Sequence, residues 1–227
     1  MKERPLLFKG EMVRAILEGR KTQTRRVRSL EIINQSPDSF KFESLSSEKI
    51  KKDLVVIANF TQSTGKLLRI PYIRCPYGKP QDLFWVRETW RQALSETHEC
   101  YAYRADMTYQ CGKPMPPNDY STVGWKPSIH MKKAIARIWL ECTSIGVERL
   151  QDITDEGAIA EGVERHSLDE SKWRSYLYPK EPWAYTVSAK ESFESLWKSI
   201  NGVESWDKND WVWVVGIKKI TKTGVSL

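Results

Sequence analysis

The sequence predicts a β-rich α+β fold, a mixed β-barrel of five to six strands with short flanking helices and long inserted loops, and three observations predict it. Apolar residues fall in short runs bounded by Gly, Pro, Asn and Asp, as strands require, while only brief stretches carry helical spacing. No internal repeat and no linker divides the 227 residues, which points to a single domain over residues 1–227. Trp211 to Ile217 is almost continuously apolar and reads as a strand buried on both faces, as in a closed barrel that leaves no sheet edge exposed.

Taken in order, Met12, Val13, Ile16 and Leu17 recur at helical spacing and Gly19 stops the helix. Residues 28–52 are polar, Ser-rich and weakly periodic, which predicts an excursion outside the core. Leu54–Phe60 and Leu67–Ile73 read as strands around the turn residues Ser63-Thr64-Gly65, so a first insertion covers about 28–74. Pro76 to Pro80 is a loop, and Leu83–Trp90 is a strand. A second insertion covers about 95–124, and Gly112, Pro114, Pro116, Pro117, Asn118 and Pro127 mark a long loop over 105–128. Ala134–Val147 reads as a long, bent strand. Thr154–Gly162 is a short helix, with Asp155 and Glu156 at its positive end and Gly162 closing it. After an irregular aromatic stretch over 165–187, Ser188-Ala-Lys-Glu191 is a capping box. It opens a helix with Phe193, Leu196, Trp197 and Ile200 on one face, closed by Asn201-Gly202.

Hydrophobic content of 40%, with ten Trp, nine Tyr and six Phe, supports a packed core and excludes general disorder. The net charge is +7, and residues 1–28 alone hold nine basic side chains against three acidic ones. A surplus so placed attracts polyanions, nucleic acid being the commonest, or else serves as a solubilising surface. The four cysteines form no C-x-x-C pair and have no His at ligand spacing, so neither a zinc site nor any other metal or cofactor is indicated. The apolar stretch at the N-terminus is too short for a signal peptide, and no run approaches the ~20 apolar residues that span a bilayer. The expectation is a cytoplasmic protein without membrane contact or an obligatory protein partner.

The short helix running into Gly19-Arg20-Lys21-Thr22-Gln23-Thr24-Arg25-Arg26 resembles the signature opening of ASCH domains. Leu83–Trp90 after a Pro-rich turn, Leu150-Gln-Asp-Ile153 with the helix to Glu161-Gly162, and Trp211–Ile220 resemble the family's later landmarks. The whole pattern, including Trp125-Lys-Pro-Ser-Ile-His-Met131, is similar to a prophage-associated branch. One departure is visible: Gln81-Asp82 stands where the family has Gly-Asp. The resemblance implies a PUA-like barrel that binds RNA. One bacterial branch hydrolyses N4-acetylcytidine to cytidine and acetate with a Lys, a Thr and a Glu, and the matching residues here are Lys21, Thr24 and Glu161. Other ASCH proteins are ribonucleases or simple RNA binders, so a non-catalytic RNA-binding module and a ribonuclease using the same basic cleft stand as alternatives.

Cleaving an acetyl amide needs an activated nucleophile, donors for the oxyanion and a proton for the leaving amine. Lys21 would activate the attack, Thr24 would position or stabilise the oxyanion, and Glu161 would move the proton. Arg20, Arg25 and Arg26 would lower the Lys21 pKa in a compact cluster. Glu161 falls in the last helical turn, where the dipole disfavours a carboxylate by roughly 0.3–1 kcal/mol unless a cation stands near. Gly157 and Ala158, one turn earlier, leave room for that approach. A strand running from Lys21 to Arg26 would send Lys21 and Thr24 to opposite faces, so Lys21 must lie in a turn before the strand. Apart from the family pattern, Lys21 reads as a surface lysine and Glu161 as a solvated helix residue. Arg20, Arg25, Arg26, Arg87, Glu88, Trp90, Trp125 and His130 complete the candidates for holding RNA or a modified nucleoside, the two Trp by stacking a base and His130 by bonding a phosphate or base. Arg87 and Glu88 alternate, so only one of them faces inward.

Overall fold

The computed structural model describes residues 1–50, 53–62, 73–93, 100–110, 112–115, 124–178, 180–181 and 183–221. In chain order the elements are β1 (Glu3–Leu7), α1 (Gly10–Leu17), β2 (Gln23–Arg26), β3 (Phe40–Ile50), β4 (Asp53–Gln62), β5 (Ile73–Arg74), β6 (Leu83–Arg87) and β7 (Trp90–Ala93). They continue with β8 (Cys100–Tyr103), β9 (Thr108–Tyr109), β10 (Trp139–Arg149), α2 (Asp155–Ala160), β11 (Trp173–Arg174), β12 (Tyr185–Thr186), α3 (Ala189–Asn201) and β13 (Trp211–Ile220). This is an α+β fold rich in sheet, and among the described residues no ladder closes into a ring. Among the same residues no helix is long and apolar enough to cross a membrane.

The chain divides into two compact units, the first from Met1–Gly19, Asp82–Glu141 and Lys218–Leu227, the second from Arg20–Gln81 and Cys142–Ile217. No linker marks the division in the sequence, because β10 and β13 each begin in one unit and end in the other.

In the first unit β6 lies between two neighbours. β1 pairs with it in parallel from Glu3↔Leu83 to Leu7↔Arg87, and the start of β10 pairs antiparallel from Trp139↔Trp85 to Glu141↔Leu83. Flanked on both sides, β6 is buried from Leu83 to Val86 and reads as an unbroken apolar run. Buried Asp82 accepts the Lys2 N–H at 2.8 Å and the Arg4 guanidinium at 2.7 Å, which pins the start of β1. The strand expected over Leu83–Trp90 is two strands. The Glu88 N–H goes to Met131 Sδ at 3.3 Å, so the ladder stops at Arg87 and resumes as β7, which pairs antiparallel with β8. The strand expected from Ala134 begins only at Trp139, a 3-10 turn occupying Lys133–Ile135. The long loop is not wholly irregular, since Thr108 and Tyr109 pair with β8. Trp85, Trp90, Tyr103, Met131 and Trp139 make the core of this unit.

In the second unit β2 pairs antiparallel with β13 from Trp213↔Arg26 to Gly216↔Gln23. A Cβ at Gly216 would stand 2.3 Å from Ser144 Oγ and 2.5 Å from Thr143 Oγ1, so the close approach of β10 to β13 requires glycine there. β13 is buried on both faces, as its composition predicts. The expectation for residues 28–52 is overturned. β3 runs antiparallel to β4 from Phe40↔Gln62 to Ile50↔Asp53, Leu30 and Ile33 are fully buried, and Phe42 and Phe60 pack on Trp211 at 6.5 and 5.2 Å. β3 lies at the edge of its ladder and keeps most of its described side chains in solvent, which is why a polar, Ser-rich stretch forms a strand without an alternating pattern. The turn Ser63–Gly65 and the strand from Leu67 lie outside the described residues up to Ile73, which pairs with β4 as part of β5. Gln81 adopts φ 73°, a conformation that glycine reaches without strain, so the turn is of the glycine type although glutamine occupies it.

α3 begins as its capping box predicts. Ser188 Oγ accepts the Glu191 N–H at 3.1 Å, and the Glu191 carboxylate accepts the Val187 N–H at 3.0 Å. Its apolar face, Phe193, Leu196 and Trp197, packs with Trp173, Tyr176, Trp206 and Val212, and Ile200 borders the same cluster.

Candidate active site

The second unit builds a buried charge cluster from the two segments that the sequence marks. Gly19, at φ 78°, turns the chain, and β2 begins only at Gln23, so Lys21 stands before the strand as a shared site requires. The Thr22 N–H donates to the Ala160 carbonyl at 2.8 Å and the Thr22 carbonyl accepts the Ile217 N–H at 2.8 Å, which clamps this segment between the end of α2 and β13. On the other side Thr154 Oγ1 caps α2 by accepting the Gly157 N–H at 3.1 Å, and Gly162, at φ 87°, closes it.

Lys21 Nζ bonds both the carboxylate and the backbone carbonyl of Glu161, the latter at 2.8 Å. One ammonium thus satisfies the side chain and an open carbonyl at the negative end of α2. The side chains of the pair are 0% and 2% exposed, which overturns the bland expectation of a surface lysine and a solvated glutamate. The second carboxylate oxygen of Glu161 accepts from Arg25 Nη1 at 3.3 Å, while Arg25 Nε donates to Glu148 at 2.7 Å and the guanidinium lies 5.8 Å from the Phe193 ring centre. Gly157 makes this approach possible, since a Cβ there would stand 2.9 Å from Arg25 Nη2. Burial pulls the Lys21 pKa below its ordinary value; Glu161 works against that shift, and Arg26 and Arg25 add to it. Burial also depresses Arg26 and pushes the nearby Tyr77 up to about 12.

Thr24 is buried on β2 beside Arg25, and by strand alternation its side chain leaves the opposite face. The bonds joining Lys21, Arg25 and Glu161 do not include it. Two arginines expected to meet the ligand are engaged with carboxylates: Arg25 as above, and Arg20 with Glu164 at 3.2 Å and with the Gly162 carbonyl. Sequence reasoning missed Glu148 and Glu164, because nothing local in the chain marks a carboxylate as the distant partner of a given arginine.

The remaining candidates belong to the first unit, and of them Glu88 anchors a network of its own. Arg87 donates to the Met131 carbonyl at 3.1 Å and lies 4.8 Å from the Trp85 ring centre. Glu88 is the inward member of its pair with Arg87, and both its oxygens accept from Arg137 at 2.9 Å. Arg137 also holds Asp106 and Thr108, each at 2.8 Å. Burial raises the Glu88 pKa against the pull of Arg137; burial opposes the Arg137 charge as well, but the bonds to Glu88 and Asp106 outweigh it and raise its pKa. Arg137 was legible as the one charge within the apolar run Ile135–Leu140. Trp90 is a core residue, with its ring edge-on to Tyr101 at 5.7 Å. Trp125 is half-buried under Arg91 at 4.7 Å, and His130 is exposed. Among the described residues no group of three or more His, Cys, Asp and Glu side chains is placed to hold a metal ion.

The chain matches no known family model, curated protein or solved structure. A buried lysine whose charge is disfavoured by desolvation, bonded to a carboxylate, is the kind of perturbed group that clusters at functional sites.

Proposed function

We propose that the protein is an ASCH-type protein of the cytoplasm, with a PUA-like barrel, and that it binds RNA or a nucleoside taken from it. In this reading it removes the acyl group from N4-acetylcytidine-like substrates. The observation that carries the reading is the meeting of Lys21 and Glu161, 140 positions apart in the chain, in one buried cluster. In that reaction water adds to the acetyl carbonyl, the bond from carbon to N4 breaks, and N4 takes a proton, giving cytidine and acetate. Lys21 accepts the proton of the attacking water and Glu161 delivers one to N4, while Thr24, whose side chain leaves the other face of β2 from Arg25, takes no part in the step. The basic surplus of residues 1–28 supports a polyanionic or nucleotide partner, and β13, apolar on both faces, supports a barrel wall.

The test is incubation of the purified protein with N4-acetylcytidine and measurement of acetate and cytidine. Equal release of the two products, lost in Lys21→Met and Glu161→Gln, is expected. A failure to release acetate under conditions where a related amidohydrolase works overturns the enzymatic reading.

A second reading is favoured by the closure of the ion pair, in which each charge already satisfies the other. The cluster is then structural and the protein a non-catalytic RNA binder. This reading predicts RNA affinity falling steeply with salt and little affected by Lys21→Met. A ribonuclease is distinguished by the appearance of fragments from end-labelled RNA.

A further inference from the structure

The first unit contains a hollow of about 340 Å3 between the start of α1, Thr89 and the turn after β8. That volume lies at the small end of ligand pockets, roughly 300–1,000 Å3. Three cations line it, Lys9, Arg14 and Arg104, together with Thr89 and a single acid, Glu11. The walls are fixed to one another: Arg14 Nη1 donates to the Ala105 carbonyl at 2.9 Å, and the Arg104 N–H donates to the Thr89 carbonyl at 3.0 Å. Arg14 is held in place by a neutral acceptor, and among the described residues no carboxylate forms an ion pair with it. Among the described residues neither Lys9 nor Arg104 has an ion-pair partner. This differs from Arg20, Arg25 and Arg137, each of which meets a carboxylate. Three cations gathered in one concavity against one acid raise a field that only an anion relieves.

We propose that this hollow binds a phosphate dianion, as inorganic phosphate or as the terminal group of a phosphomonoester. The net charge of the lining, +2, matches a dianion. The forked guanidinium of Arg104 and the ammonium of Lys9 supply charge-assisted bonds, and Thr89 a neutral donor. Gly10 adds no side chain at the rim, so the amides of the first helical turn, which no side chain caps, stay within reach of a bound oxygen. The site uses none of the residues of the Lys21–Glu161 cluster and stands independently of the proposed reaction.

The experiment is calorimetric titration of the full chain at low salt with three probes: inorganic phosphate, a ribonucleoside 5′-monophosphate and the same nucleoside without phosphate. Saturable binding of the first two and not of the nucleoside supports the proposal, and their ratio shows whether the free ion or the ester is preferred. Arg104→Ala and Lys9→Ala each weaken binding about 10-fold or more, as loss of a charge-assisted bond requires. Both side chains lie at the exposed rim, so the variants keep the fold, which circular dichroism checks. Lys132→Ala removes an exposed charge of the same unit that does not line the hollow, and leaves affinity within about twofold. The proposal is overturned if neither phosphate probe saturates, or if Lys132→Ala weakens binding as much as Arg104→Ala.

Discussion

Glu88 in the first unit and Glu161 in the second are both buried carboxylates bonded to cations, and they differ in what those cations can do. Glu88 faces a guanidinium whose proton is fixed: Arg137 binds both its oxygens and holds Asp106 too, and its pKa is raised by those partners. Glu161 faces Lys21, whose burial outweighs the attraction of its partner and lowers its pKa. The first arrangement is a clamp that joins the end of β6 to the segment after β8. The second sets a buried ammonium, disfavoured by its own desolvation, against a carboxylate. Arginine in one unit and lysine in the other separate a network held by a fixed charge from one whose buried charge is disfavoured.

The largest effect is expected at the clamp. Arg137→Ala leaves Glu88 buried without its bidentate partner and Asp106 without its cation, and costs about 3–5 kcal/mol as other broken buried pairs do. Urea unfolding measures it, and Arg137→Lys restores little, because an ammonium does not span both oxygens. Lys21→Met costs somewhat less, about 3 kcal/mol, because Arg25 still meets Glu161. The double variant Lys21→Met, Glu161→Leu is expected to be more stable than Lys21→Met alone, since both charges then escape desolvation. A double variant less stable than Lys21→Met would show that the desolvation of Glu161 is not what the single substitution exposes.

The two networks also titrate in opposite parts of the pH range, each showing the cost of its buried charge. Lys21 has a folded pKa below its ordinary 10.5, so between that folded value and 10.5 the unfolded chain holds a proton that the native one lacks. Its contribution therefore rises with pH through that window, by at most about 1.4 kcal/mol per pH unit. Glu88 has a folded pKa above its ordinary 4.5, so the native state holds the extra proton and stability falls as pH rises from 4.5 through the folded value. Unfolding curves of the wild type minus Lys21→Met, taken from about pH 7 to 10, and minus Glu88→Gln, from about pH 4 to 7, isolate the two slopes. Slopes of the reverse sign would show that partners, and not burial, set these pKa values.

Much of the second network was legible in the chain and much of the first was not, for physical reasons. Gly19 before Lys21, and the helix ending at Glu161-Gly162, are local features whose conformations follow from glycine and from helix termini, and both occur as read. The Ser188 cap of α3 was legible on the same ground. The partners of Arg20 and Arg25 were not, because Glu164 and Glu148 lie more than a hundred residues away and only the folded chain selects them. β3 escaped notice because an edge strand with polar faces carries no alternation, and Leu83–Trp90 read as one strand because the sequence does not show that Met131 takes the Glu88 N–H.

The smallest effect sharpens the comparison most narrowly. Gly157→Ala adds one methyl group 2.9 Å from Arg25 Nη2 and 3.1 Å from Ile153 Cγ1, at a helical position where alanine alone would gain about 0.5–1 kcal/mol over glycine. Overpacking costs about 1–3 kcal/mol, so a net loss of about 1 kcal/mol is expected. The readout that matters is chemical. Arg25 must move, its bond to Glu161 weakens, and the Lys21 pKa loses one of the positive charges that help hold it down. The alkaline limb of the stability difference should therefore shift to higher pH in Gly157→Ala while the acid limb set by Glu88 stays in place. A shift in both limbs would mean that the substitution had loosened the whole chain; a shift in the alkaline limb alone ties the proton of Lys21 to the missing Cβ of a glycine one helical turn away from Glu161.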